Sequence, residues 1–133
     1  MQFCLYKDRF VEFNLDFTQA AGASYDACTA SGDVMVLGCN VYVEIPGGGD
    51  LTSISVQSTA TTPMVLLTAG EGITANLLAQ SHPAAACQAW IAPWTLRSGH
   101  KIQYTITAAG AAHTGSGKLI VHWAPISAGA VLT

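Results

Sequence analysis

Apolar side chains at every second position, in short runs broken by turn-forming residues, constrain this chain more than any other feature. In residues 10 to 17, FVEFNLDF, Val11, Phe13, Leu15 and Phe17 fall on one side and Glu12, Asn14 and Asp16 on the other. Successive side chains of a strand point to opposite faces, so period two describes a strand with one buried face. The C-terminal third repeats the pattern. Ile102, Tyr104 and Ile106 alternate with Lys101, Gln103 and Thr105, and Leu119, Val121 and Trp123 alternate with Lys118, Ile120 and His122. These two segments read as antiparallel neighbours joined by an Ala/Gly loop from Ala108 to Gly117.

The middle of the chain is punctuated in the same way. SYDACTAS reads as a short strand ending at the turn Ser31-Gly32-Asp33, and Val34 to Ile45 places Met35, Leu37, Cys39, Val41, Val43 and Ile45 in one row. Pro46-Gly47-Gly48-Gly49-Asp50 has turn composition and predicts a hairpin into LTSISVQS, whose apolar side carries Ile54 and Val56. MVLLT leads to the turn AGEG, ITANLLAQ fits either a strand or one helical turn, and CQAWIA reads as a short strand that Pro93 breaks before Trp94 and Leu96 lead to the Arg97-Ser98-Gly99 turn. Eight or nine short strands without a helix of normal length predict an all-β, antiparallel β-sandwich of jelly-roll-like form. No linker or tandem repeat interrupts the 133 residues. One domain over 1–133 is therefore expected, with 1–9 and 127–133 able to act as arms that reach a neighbour.

Charge narrows the class of partner. Charged residues make up 10% of the chain, against about 25% in a typical soluble domain, and mean hydropathy is +0.38. The longest apolar stretch, VMVLGCNVYVEI, is interrupted by Gly38 and Asn40 and falls short of the roughly 20 residues a membrane-spanning helix needs. Lys7, Asp8 and Arg9 arrive before any apolar run develops, which predicts no secretory signal and synthesis in the cytoplasm. The five basic residues are scattered and net charge is −3, so no basic patch exists to neutralise a phosphate backbone, and neither nucleic acid nor a membrane is an expected partner. A surface this poor in charge is prone to association, and part of it is expected to lie under other subunits.

No motif for chemistry withstands the blander reading of its residues. Cys4, Cys28, Cys39 and Cys87 lack CxxC spacing, and Cys39 reads as a small buried hydrophobe. His82, His100, His113 and His122 lack zinc-site spacing. Glu12, Asn14 and Asp16 share a strand face that reads as solvated, and GGGD and GSGK lack the spacing and following helix of a phosphate loop. No GxSxG elbow or cysteine-protease signature occurs. Trp90, Trp94 and Trp123 suit either a sugar-stacking platform or core and subunit packing, with packing favoured. The candidate interface residues are Trp90, Trp94, His113, His122 and Trp123. No catalytic residue, metal or cofactor is assigned.

Three segments, TTPMVLLTAG, WIAPWTLRSGHKIQYTIT and TGSGKLIVHWAPIS, carry a likeness that spans roughly residues 33 to 128. They resemble small β-sandwich proteins encoded among the head genes of tailed bacteriophages, commonly capsid decoration or cement proteins. FNLDFTQAAGASYDA is similar to the opening of such proteins. The resemblance implies a non-enzymatic virion structural protein, a homo-oligomer with a trimer favoured. It would sit on the capsid surface, bind the major capsid protein and bridge capsomers, after synthesis in the host cytoplasm. The alternative is a carbohydrate- or receptor-binding β-sandwich module of a phage fibre or tail.

Overall fold

The computed structural model describes residues 9–67, 78–80 and 94–133. Seven strands and no helix are found among them: β1 (Arg9–Asp16), β2 (Ser24–Thr29), β3 (Val34–Ser58), β4 (Val65–Leu67), β5 (Leu78–Gln80), β6 (Trp94–Leu96) and β7 (Lys101–Pro125). All pairings are antiparallel. The all-β expectation holds, but not as eight or nine short strands, because β3 and β7 are each 25 residues long.

β3 and β7 run alongside each other from Val34↔Pro125 to Ser58↔Ile102. The hairpin expected at Pro46–Asp50 is therefore absent, and the two halves of β7 pair with β3 rather than with each other. The Ala108–Gly117 segment is strand, not loop. Turn composition misled here because a bulge and a turn ask for the same residues. Four of the five register shifts between β3 and β7 fall between Val43 and Ser53. There the ladder absorbs extra residues and bends.

The bend is large. A straight strand of 25 residues would span about 80 Å, yet both flanks of β7 bond to one residue. Ser98 N donates to Asp33 Oδ1 at 2.9 Å, and Ile126 N and Ser127 N donate to the Asp33 carbonyl at 2.9 and 3.1 Å. The paired strands thus double back. The first half of β3 and the second half of β7 carry β1, β5 and β6 on their edges. The remaining halves carry β2 and β4.

The core draws on both halves: Leu15, Val36, Val41 and Val121 from one, Ile54, Val56, Ile102 and Ile106 from the other, all nearly inaccessible. The alternations of β1 and β7 come out as expected, with Leu15 and Phe17 buried and Ile102, Tyr104, Ile106, Leu119, Val121 and Trp123 inside. The single row expected for β3 does not. Val34 and Val36 are fully buried, and the register shift between Val36 and Gly38 then moves the inward face to Cys39, Val41 and Val43. One extra residue inverts every side chain beyond it. Ile45, expected inside, is 59% exposed.

Residues 127–133, expected as an arm, pack on their own chain. Thr29 and Thr133 exchange backbone hydrogen bonds of 2.6 and 3.0 Å, Leu132 bridges Ala30, and Ala130 and Leu132 are buried. The tail has apolar residues to hide and a free strand end to hide them on. Of the other expected arm, only Arg9 lies within the described residues.

Candidate functional site

The residues singled out in the sequence fall in three places. Trp94 and Trp123 are both register partners of Val36, one on each side of β3. Trp123 is 4% exposed, and the Arg9 guanidinium lies 5.1 Å from its ring centroid. Trp94 packs half-buried against the core. Neither indole N–H finds an acceptor among the described residues. Trp123 thus packs in the core of its own chain, the packing alternative of the sequence reading, as the burial of so large a ring favours. Trp90 and the CQAWIA segment lie outside the described residues, as do His82, Cys4 and Cys87.

His122 lies on the opposite face of β7, half-buried. Phe10, its cross-strand partner on β1, stacks on the imidazole with ring centroids 4.3 Å apart and planes 9° from parallel. Gly38, opposite His122 on β3, keeps that side open. Phe10 is 74% exposed and was not singled out in the sequence. The available signal was its parity, which places it on the polar side of β1 with Glu12 and Asn14.

His113 lies ten positions from Trp123 along β7, roughly 33 Å for extended chain, so these candidates do not form one site. His113 is 6% exposed. Its Nδ1 lies 2.6 Å from the Phe17 carbonyl oxygen. A carbonyl can only accept, so Nδ1 carries the proton, and in the neutral ring Nε2 is the acceptor. His113 lines a surface pocket of about 510 Å³, bounded on one side by Thr18, Ala20 and Ala21 and on the other by Ala108–Ala111.

The pocket wall from Phe17 to Gly22 is pinned along its length. Phe17 N donates to the Gly115 carbonyl at 3.2 Å and Gly22 N to the Ile106 carbonyl at 2.9 Å. Tyr25 Oη donates to the Ala20 carbonyl at 2.7 Å. Thr18 donates from both its backbone N–H and its hydroxyl to Asp16 Oδ1, at 2.9 and 2.6 Å. Those two bonds hold the Asp16 carboxyl below the ordinary aspartate range. Beneath the pocket, Ala112 N donates to Asp50 Oδ2 at 3.0 Å, tying β7 to the glycine segment of β3.

The acidic row of β1 does not gather for chemistry. Glu12 and Glu44 flank Lys118, and their charges, Glu44's first, raise the lysine's pKa. Asp26 accepts from Gln103 and Lys101, which lower its pKa in that order. Cys28 and Cys39 are buried, and burial pushes the Cys28 thiol up to about 12. Among the described residues no three His, Cys, Asp or Glu side chains gather to hold a metal ion, and none forms a helix long and apolar enough to cross a membrane.

No family model, curated protein or solved structure matches this chain.

Proposed function

We propose that this chain is a non-enzymatic virion structural protein that decorates an assembled phage capsid and stabilises it by bridging capsomers, acting as a homo-oligomer with a trimer favoured. The observation that carries the reading is a charge-poor chain in which, among the described residues, three of the four exposed large apolar side chains gather at one end, with Ile45 apart from them on the bend of β3. Phe10 at the start of β1, Ile126 just past β7 and Val131 on the docked tail are all at least 39% exposed. All three lie near the meeting of the two ends of the long ladder at Asp33. Such an end is suited to contact with neighbouring protein, and the resemblance to decoration proteins names the neighbour as the major capsid protein.

The fold belongs to the same proposal. The doubled-back ladder has one half with three flanking strands, β1, β5 and β6, and one with two, β2 and β4, and both halves contribute to one core, which supports a jelly-roll-like β-sandwich. A protein that binds only the assembled shell lowers that shell's free energy by its binding free energy, and many copies make modest contacts count. The carbohydrate-binding alternative loses Trp123, which is buried.

Light scattering on the purified protein, followed by co-sedimentation with capsids lacking it, tests the proposal. The expected result is an oligomer that saturates capsids and raises their disruption temperature, with Phe10→Ser and Ile126→Ser weakening binding. A monomer that ignores capsids refutes it.

A further inference from the structure

We propose that the pocket between the Thr18–Ala21 turn and the Ala108–Ala111 segment is a binding site for a small phenol-type ligand, a compact apolar ring that donates one hydrogen bond to His113 Nε2. Neither capsid binding nor oligomerisation enters this inference.

The lining sets the ligand's chemistry. Five of the lining residues are alanines, so most side-chain contact is with methyl groups. Thr18 and His113 supply the polar side chains. Thr18's hydroxyl already donates to Asp16, and His113 Nδ1 already donates to Phe17. What the side chains still offer is an acceptor in a methyl-lined recess. A ligand with one donor on an apolar ring satisfies that acceptor and removes apolar surface from water. A sugar, with a hydroxyl on nearly every carbon, would leave some of them facing the alanine methyls, and desolvating an unpaired hydroxyl is costly.

The pocket is also preformed. Its turn is held by bonds from Phe17, Thr18, Gly22 and Tyr25, so little ordering remains to oppose binding. A volume of about 510 Å³ lies within the usual range for small-molecule sites. In a run of small residues, AAGAAHTGSG, His113 is the one large side chain. Its Nδ1 bond to a backbone carbonyl orients the ring and fixes the tautomer that leaves Nε2 able to accept.

The test is an NMR titration of the full chain, with alanine methyls and histidine nitrogens labelled, using p-cresol, toluene and methyl glucoside as probes. p-Cresol is expected to shift the Ala20 and Ala108 methyls and the His113 Nε2 resonance saturably. Toluene, lacking the donor, should bind about tenfold more weakly, the value of one such hydrogen bond. Methyl glucoside should not bind. Ala109→Trp, which fills the pocket from an exposed position, should abolish the p-cresol response while leaving the rest of the spectrum in place. No saturable response to p-cresol, equal affinity for toluene, tighter binding of the glucoside, or undiminished binding by Ala109→Trp would each overturn the assignment.

Discussion

Gly49 is where the doubled-back ladder is most exposed to a single added methyl group. Its φ is +63°, and a Cβ built there would overlap the carbonyl oxygen of Ala112 on β7. Two costs follow for Gly49→Ala. Holding an L-residue in the left-handed region costs about 1–2 kcal/mol, and overpacking against a neighbour costs about 1–3 kcal/mol. Stiffening the unfolded chain offsets about 0.4–1 kcal/mol. The net expectation is a loss of about 1–5 kcal/mol, centred at about 3 kcal/mol.

Gly22 separates the two costs, since its φ is +85° but nothing lies within 4 Å of the added Cβ. Gly22→Ala should therefore lose only about 0.5–1 kcal/mol, the backbone cost less the unfolded-state gain. Urea unfolding followed by tryptophan fluorescence measures both. With a slope of about 1.5 kcal/mol/M, a 3 kcal/mol loss lowers the midpoint by about 2 M. If the two variants lie within about 0.5 kcal/mol of each other, the close approach of β3 to β7 at Gly49 is wrong, and the account of the bend fails with it.

Acid should weaken the fold. The folded pKa values of Asp16 and Asp26 are lowered from 3.8, so their contribution is complete above the unfolded value and is lost as pH falls through the folded ones. A urea midpoint lower at pH 2 than at pH 6, with a smaller drop in Asp26→Asn, is the expected outcome, and its size is modest because both carboxylates are solvated. Cys28, with its thiol pushed up to about 12, should stay unmodified by iodoacetamide at pH 8 in the folded protein and react in urea, as mass spectrometry of its peptide reports. Leu132→Ala should cost about 2–4 kcal/mol in urea unfolding because the tail is part of the core, while Val131→Ala, at a 39% exposed position, should change stability by less than about 1 kcal/mol.

Strand existence was legible wherever a run kept its parity against a partner. Phe13 and Leu15, the Ile102-Tyr104-Ile106 row and the Leu119-Val121-Trp123 row all face the core as period two requires. Pairing was not legible, because alternation says which face is buried but not which strand lies alongside. PGGGD illustrates the gap: its glycines permit the conformations of a two-strand turn and equally those of bulges within one strand. The Val36/Gly38 shift left no mark except Gly38 itself, so Met35 and Leu37 read as core while Val34 and Val36 occupy it. The site was legible only in pieces. His113 was an interface candidate in the sequence, but the pocket it lines is made by the turn after β1, some ninety residues away, and no local pattern joins the two.

The bend and the pocket have one cause. For a 25-residue ladder to double back, side chains must be missing where the two strands cross most tightly, and both chains supply such stretches, Gly47–Gly49 on β3 and Ala108–Ala112 on β7. Absent side chains permit the bulges, and they also leave volume unfilled on the outer surface. The turn after β1 roofs that volume because Phe17 must reach the core and Gly22 must reach the Ile106 carbonyl, which carries Thr18–Ala21 across the gap. Folding alone thus accounts for a recess lined by methyl groups. It does not account for a histidine at its edge. A backbone carbonyl at Phe17 would be satisfied by water or by any donor, whereas an imidazole adds a second nitrogen that accepts in the neutral ring, at the entropic cost of ordering a ring. In the proposed site, that second nitrogen is the feature that folding does not require.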